Sequence, residues 1–273
     1  MGGCLGSVIV RGHKVLGEKV IGGDSMELDR TSRQAPGDMG KIKHAYIIYI
    51  DRPESVQYAN ECAVSCKQHG MPYTLWKGID MRETRGEDLE KETGFTWTTR
   101  NAEMGCTASH LKLWHTIASM PHACAVFEHD AVVRHNFYDY EIPDNKLVML
   151  GYRVMRAEDY QYPNEEMTFI DINKFEGTHA YAITPNMAKY MIERMRGYYT
   201  QTFGGVNTTI DGILSIHDSF GIARCVMDPP PVVCVVGNER ISTIQGRPAA
   251  YNACVSPGFM KGLRAEPLRI TPN

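Results

Sequence analysis

The sequence has no run near the ~20 consecutive apolar residues that a helical membrane span needs. It also has no strong charge bias: its formal net charge is -3 and its pI is about 6.4. That balance gives no global pull toward nucleic acid or an acidic membrane. There is no CxxC pair, so a structural zinc site is not expected. There is no internal repeat and no low-complexity tract. No apolar stretch follows Met1, which argues against a secretion signal. The opening MGGCLGS lacks the Ser or Thr that myristoylation wants five positions after Met1; Gly6 stands there.

What is present is ordinary globular material. With 43% hydrophobic and 22% charged residues, the 273-residue chain has room for one large α/β domain or two small ones. Its eight cysteines are Cys4, Cys62, Cys66, Cys106, Cys124, Cys225, Cys234 and Cys254. Several sit in apolar runs, as in ACAVF and PVVCVV, and read as reduced, mostly buried thiols of a cytoplasmic protein.

The chain changes character along its length. Residues 1–40 are Gly-rich and end in RTSRQAPGDMG, an N-terminal extension with hairpin-like pieces and a linker. Residues 41–250 read as the main domain and 251–273 as a tail. HAYIIYI (44–50) is a short β-rich run and PYTLWKGID (72–80) a second one. Between them, residues 53–70 start at Pro53, keep helical spacing and stop at Gly70. A β-α-β opening of this kind implies parallel strands with a right-handed crossover. Met104, Ala108, Leu111, Trp114, Ile117 and Ala118 form an apolar helical stripe. ACAVF and KLVMLGY (146–152) read as strands. Thr184 and Pro185 open a further helix as N-cap and first helical residue. TTIDGILSIHDSF (208–220) reads as helical, and RCVMDPPPVVCVV (224–236) as a strand broken by prolines.

In open α/β sheets, ligands bind at the carboxyl ends of strands. ACAVF leads straight into Glu128, His129 and Asp130. Side chains of extended chain alternate faces, so Glu128 and Asp130 point one way and His129 the other. Two carboxylates on one face suit Mn²⁺ or Mg²⁺, which in turn suits a diphosphate; a solvated turn is the bland alternative.

The segment EMGCTASHLKLWHTIASMPHACAVFEHDAVV resembles glycosyltransferase family 25, the lipooligosaccharide and collagen sugar-transferase group. The family's Gly-Cys-x-x-Ser-His-Leu helix is matched by Gly105, Cys106, Ser109, His110 and Leu111. Its Glu-Asp-Asp-Ala is matched by Glu128-His129-Asp130-Ala131, with His129 in place of the middle acid. LVMLGY, the block from Gly177 (GTHAYAITPNMAKYMI), Asp211 in TTIDGIL and the opening AYIIYIDRPES also look like family blocks, in the right order over about residues 44–245.

The resemblance implies a GT-A-like single α/β domain with a mostly parallel central sheet flanked by helices. It implies an inverting, metal-dependent transfer of sugar from a nucleotide sugar, such as a UDP-sugar, to a hydroxyl acceptor. Glu128 and Asp130 would hold the metal. Ile50, Asp51, Arg52, Ser109, His110, Gly177, Thr178 and His179 would line the nucleotide site. Asp211 is the candidate base and Glu176 the reserve. Each has a bland alternative: Ser109 and His110 as packing residues, His179 as a core histidine, Asp211 as support for a helix N-terminus. His217 is a late candidate for the metal, and Tyr198-Tyr199 for an acceptor-side loop. The acceptor would be a saccharide or another hydroxylated biomolecule. A hydroxymethylated DNA base is an alternative that the acidic net charge does not favour. His129 also leaves open a non-catalytic homologue that only binds nucleotide sugar.

Overall fold

A computed structural model of the chain describes residues 40–154, 167–171, 178–216 and 221–235. The readings for residues 1–39, 155–166, 172–177, 217–220 and 236–273, including Glu176, Gly177 and His217, lie outside these.

The β-α-β opening forms as the sequence implies. β1 (Ile42–Tyr49) is followed by α1 (Pro53–Gln68) and by β2 (Tyr73–Lys77), which runs parallel to β1. Pro53 takes a first-turn position where its missing N–H costs nothing, and Gly70 absorbs a φ of 68° just beyond the helix. α2 (Gly86–Thr93) is a short charged helix with only Leu89 and Thr93 buried, too thin an apolar stripe to show in the sequence. α3 (Ala102–Ile117) is the apolar helix; the Asn101 side chain caps it by accepting from the Met104 N–H.

β3 (Ala123–Glu128), β4 (Ala131–Val133), β5 (Leu147–Met149), β6 (Gly151–Val154), β7 (Thr168–Asp171) and β8 (Ala180–Ile183) precede α4 (Pro185–Phe203). A π-helical turn at Gly212–Ile216 and the strands β9 (Arg224–Asp228) and β10 (Val232–Val235) follow. KLVMLGY and RCVMDPPPVVCVV thus each divide into two strands. Thr184 caps α4 by accepting from the Met187 N–H at 3.1 Å. α4 runs past Tyr198 and Tyr199, so this pair belongs to a helix rather than an acceptor-side loop. Tyr199 is in the core at 1% exposure, where its apolar ring is worth more than it would be in solvent.

The seven-stranded sheet has the order β2-β1-β3-β8-β5-β9-β7, beside a three-stranded sheet β4-β10-β6. The expectation of a mostly parallel sheet is corrected to a mixed one. β8 runs antiparallel to both β3 and β5, and β7 antiparallel to β9. The remaining pairs, β1 with β2, β1 with β3 and β5 with β9, are parallel. The α/β class and the flanking helices stand.

Strand alternation sorts the core into two layers. Tyr46, Ile48, Cys124, Val126 and Tyr181 face α3 and α4. Ala45, Ile47, Ala125, Phe127 and Ala180 face α1, where Cys62 and Cys66 are buried in the same core. Among the described residues no helix is long and apolar enough to cross a membrane.

Candidate active site

Residues 124, 126 and 128 of β3 share one parity, so Glu128 continues the face that carries Cys124 and Val126 against α3. β3 includes Glu128, one residue beyond ACAVF, because the Glu128 N–H donates to the His179 carbonyl at 2.9 Å. The chain turns at His129 and Asp130 before β4 begins. Alternation ends at that turn. The Asp130 carboxylate accepts from the Cys234 thiol of β10 at 3.2 Å. The His129 ring stacks on Tyr58 of α1, 5.9 Å between centroids and 8° from parallel.

Glu128 sits within a ring of named partners. The Thr178 hydroxyl donates to its Oε1 at 2.5 Å. The Cys106 thiol approaches the same oxygen at 3.7 Å and His110 Nε2 at 3.6 Å. Donor atoms of Cys106, His110 and Glu128 all lie within 4.8 Å of one another, the spacing of a metal-ligand group. The Thr178 hydroxyl also lies 3.1 Å from Asp211 Oδ1. A hydroxyl carries one proton and two lone pairs, so it can donate to only one carboxylate at a time. Glu128 and Asp211 are therefore brought within one hydroxyl of each other, although they are far apart in sequence. Asp211 is exposed and Glu128 half-buried.

The Gly-Cys-x-x-Ser-His-Leu helix explains itself locally. A Cβ on Gly105 would lie 2.7 Å from the Ile79 carbonyl oxygen, so only glycine lets α3 approach that loop. Ser109 accepts from the Ile79 N–H at 2.8 Å and donates to the Gly105 carbonyl at 2.7 Å. This is a structural role. Cys106, His110 and Trp114 recur every four residues on one face of α3. The Trp114 indole N–H donates to the Tyr181 hydroxyl at 2.7 Å, and Tyr181 lies 2.8 Å from His110 Nδ1. Burial pushes the Cys106 thiol well above its ordinary pKa, and the charges of Glu128 and Asp211 add to that.

A cavity of about 70 Å³ opens at this strand end, between Ile50, Arg82, Cys106, Ser109, Glu128 and His129. Ile50 is at its rim, and its N–H donates to Ser55 Oγ at 3.0 Å. Asp51 is exposed and paired with Lys77. Arg52 donates to Asp80 at 2.9 Å and to Glu83 at 3.1 Å. Asp80, a cleft residue that the sequence did not single out, also accepts from Arg82 at 2.7 Å. Burial alone would raise the pKa of Asp80; hydrogen bonds from Arg82 and Arg52 outweigh it and hold the carboxyl below its usual value. Thr178 and His179 are both buried at 1% exposure. They stand beside Glu128 because β8 pairs antiparallel with β3. Of the expected site residues, the structure thus gathers Glu128, His110, Thr178 and Asp211, with Ile50 and Ser109 along the cleft. Asp51 and Arg52 flank it through their own ion pairs. Asp80, Arg82 and Tyr181 carried no signal in the sequence; Cys106 and Trp114 stood there only as a motif residue and a stripe residue, and their four-residue spacing with His110 was the available signal.

The family model described as glycosyltransferase family 25 (LPS biosynthesis protein) matches residues 44–204, more than half of the chain. No curated protein matches it.

Proposed function

Because the chain belongs to glycosyltransferase family 25 and is a glycosyltransferase, we propose that it transfers a sugar from a nucleotide diphosphate sugar to an acceptor hydroxyl, with inversion, across the Glu128–Thr178–Asp211 row. The observation that carries this reading is the single Thr178 hydroxyl in contact with both carboxylates. It supports one carboxylate for the leaving diphosphate and one for the acceptor, at the end of a cleft in a GT-A-like arrangement.

The 70 Å³ cavity is far smaller than the ~300–1,000 Å³ of a full ligand pocket, so the nucleotide would lie across its mouth. Glu128, at the end of β3, would anchor the diphosphate through a divalent cation. Mg²⁺ and Mn²⁺ need only one or two carboxylates beside the phosphate oxygens, and the oxygen donors Glu128 and Thr178 fit such a hard ion. Asp130 would add a second carboxylate by leaving the Cys234 thiol. When bound, the cation neutralises charge that builds on the departing diphosphate. Asp211, exposed and next to Glu128, takes the proton of the acceptor hydroxyl. The acceptor oxygen bonds to the anomeric carbon, and the bond to the diphosphate breaks with its electron pair. His129 does not interrupt this row, since its ring lies on Tyr58. A UDP-sugar donor, a saccharide or other hydroxylated acceptor and a cytoplasmic location complete the reading. The described cysteines are thiols rather than disulfides, which suits a reducing compartment.

The test is release of nucleoside diphosphate from a panel of nucleotide sugars with Mn²⁺ or Mg²⁺ and mixed hydroxyl acceptors. Asp211→Asn is expected to lower kcat about 10²–10⁴-fold with donor binding kept, as loss of a general base does. Glu128→Gln is expected to weaken metal and donor binding together. Wild-type protein that turns over no donor, or an Asp211→Asn variant with full kcat, would refute the assignment.

A further inference from the structure

The side chains behind Glu128 fix the position of a proton. The Trp114 indole N–H can only donate, and it points at the Tyr181 hydroxyl at 2.7 Å. Tyr181 is the acceptor there. Its own proton then goes to its other partner, His110 Nδ1, at 2.8 Å. The reverse order would have His110 donate from Nδ1 and leave the Tyr181 proton pointing at nothing. Trp114, Tyr181 and His110 are all 0% exposed, and a proton buried there without an acceptor is costly. Nδ1 is therefore an acceptor, and neutral His110 carries its proton on Nε2. That atom is buried without a hydrogen-bond partner and faces Glu128 Oε1 at 3.6 Å.

We infer that His110 is a positioning residue for the transfer: Trp114 and Tyr181 hold it as an Nε2–H donor, and it fixes one carboxylate oxygen of Glu128 so that the other is presented to the cation and diphosphate. The role of Glu128 rests on the function proposed above; the tautomer of His110 does not. Glu128 is the partner able to close the gap. Its side chain is 23% exposed at a strand end, whereas His110 is enclosed in α3. Carboxylates that bind metals are usually oriented by such outer hydrogen bonds, and losing one weakens metal binding about 10–100-fold.

A rival reading of the same atoms is a softer site, with Cys106, His110 and Glu128 as ligands to a zinc-like ion. It needs a bare Nε2 and a thiolate. The hydrogen-bond order puts a proton on the first.

Nitrogen-15 histidine labelling of the full chain, with long-range proton–nitrogen correlation, reads the tautomer directly. His110→Gln identifies the His110 signal. A protonated Nε2 and bare Nδ1 are expected; a protonated Nδ1 overturns the proposal, and this needs no variant to function. Mn²⁺ affinity is then followed by the paramagnetic resonance of free Mn²⁺. His110→Leu is expected to weaken binding 10–100-fold. His110→Gln, whose amide can donate from a similar place, is expected to restore most of it. Equal affinity in wild type and a folded His110→Leu variant overturns the positioning role. Co²⁺ supplies the third arm: a sulfur-to-cobalt absorption band lost in Cys106→Ser overturns the proposal in favour of the soft-metal site. Wild-type protein that binds no Mn²⁺ would refute the metal-dependent function while the tautomer result still stands or falls separately.

Discussion

Two glycines inside helices are expected to respond to alanine with opposite sign. Gly105 lies in the first half of α3 and Gly197 in the second half of α4. On propensity alone each Gly→Ala change stabilises a helix interior by about 0.5–1 kcal/mol. At Gly197 nothing lies within 4 Å of the added Cβ, so the propensity gain should survive intact. At Gly105 the Cβ would meet the Ile79 carbonyl oxygen at 2.7 Å, the Met81 side chain at 3.2 Å and the Met81 N at 3.3 Å. Ordinary carbon–oxygen contacts close at about 3.3 Å. The obstacle is backbone, and that backbone is tied to α3 by the Ser109–Ile79 hydrogen bond, so neither side yields easily. Overpacking of this kind costs about 2–3 kcal/mol, which leaves a net loss of about 1–2 kcal/mol after the helix gain. For a domain of this size, 1 kcal/mol moves Tm by about 2–4 °C. Gly105→Ala should therefore melt about 3–6 °C lower than wild type and Gly197→Ala about 1–3 °C higher. Urea unfolding with matched slopes checks that the folded states are comparable. A Gly105→Ala protein at least as stable as wild type would refute the close-approach argument for the Gly-Cys motif.

Thr178→Val keeps the shape of a buried side chain but removes the hydroxyl between Glu128 and Asp211. Hydrogen bonds to charged groups contribute about 1.5–3 kcal/mol, so the transfer rate should fall about 10–100-fold; a rate within twofold of wild type would contradict the bridge. Asp80 predicts an acid effect. Its carboxyl is held below the usual value in the folded state, so it contributes stability above its unfolded pKa and loses it as pH falls through the folded one. The stability gap between wild type and Asp80→Asn should be full near neutral pH and shrink in acid below 3.8, the ordinary value of the carboxyl. A gap that stays constant to pH 3 in urea titrations would exclude the Arg52 and Arg82 pairing as its source.

The elements that announced themselves were those with local causes. α1 and α4 carry start signals at Pro53 and Thr184, α3 carries an apolar stripe, and β1 and β3 are short apolar runs bounded by polar residues. Strand direction is not local. ACAVF and the Ala180–Ile183 strand have the same apolar composition whether they pair parallel or antiparallel, and their pairing makes the sheet mixed. The same pairing joins Thr178 to Glu128, which is why that contact could not be read from spacing. Glu128 itself was legible because residues 124 to 128 are extended and alternation holds. Asp130 was not, because alternation was carried across a turn that begins at His129. The four-residue recurrence of Cys106, His110 and Trp114 was visible. Its meaning depended on Tyr181 arriving from β8.

The replacement of an acid by His129 gains its weight from the assumption that three consecutive residues share one site. Glu128 and His129 both line the cleft, but the three side chains take different partners. Glu128 ends a strand and faces α3, while His129 and Asp130 form a turn whose side chains go to α1 and β10. A histidine stacked on Tyr58 can shape that turn, but it does not supply or remove the charge opposite Asp211. That charge belongs to Glu128, and its coupling to Asp211 runs through one hydroxyl. The residue that joins the two carboxylates of the proposed row is therefore Thr178, fifty residues further along the chain than Glu128. The sequence pattern draws the eye to the acidic triplet because it is contiguous. The contact between Thr178 and Glu128 follows the pairing of β3 with β8, which contiguity cannot show.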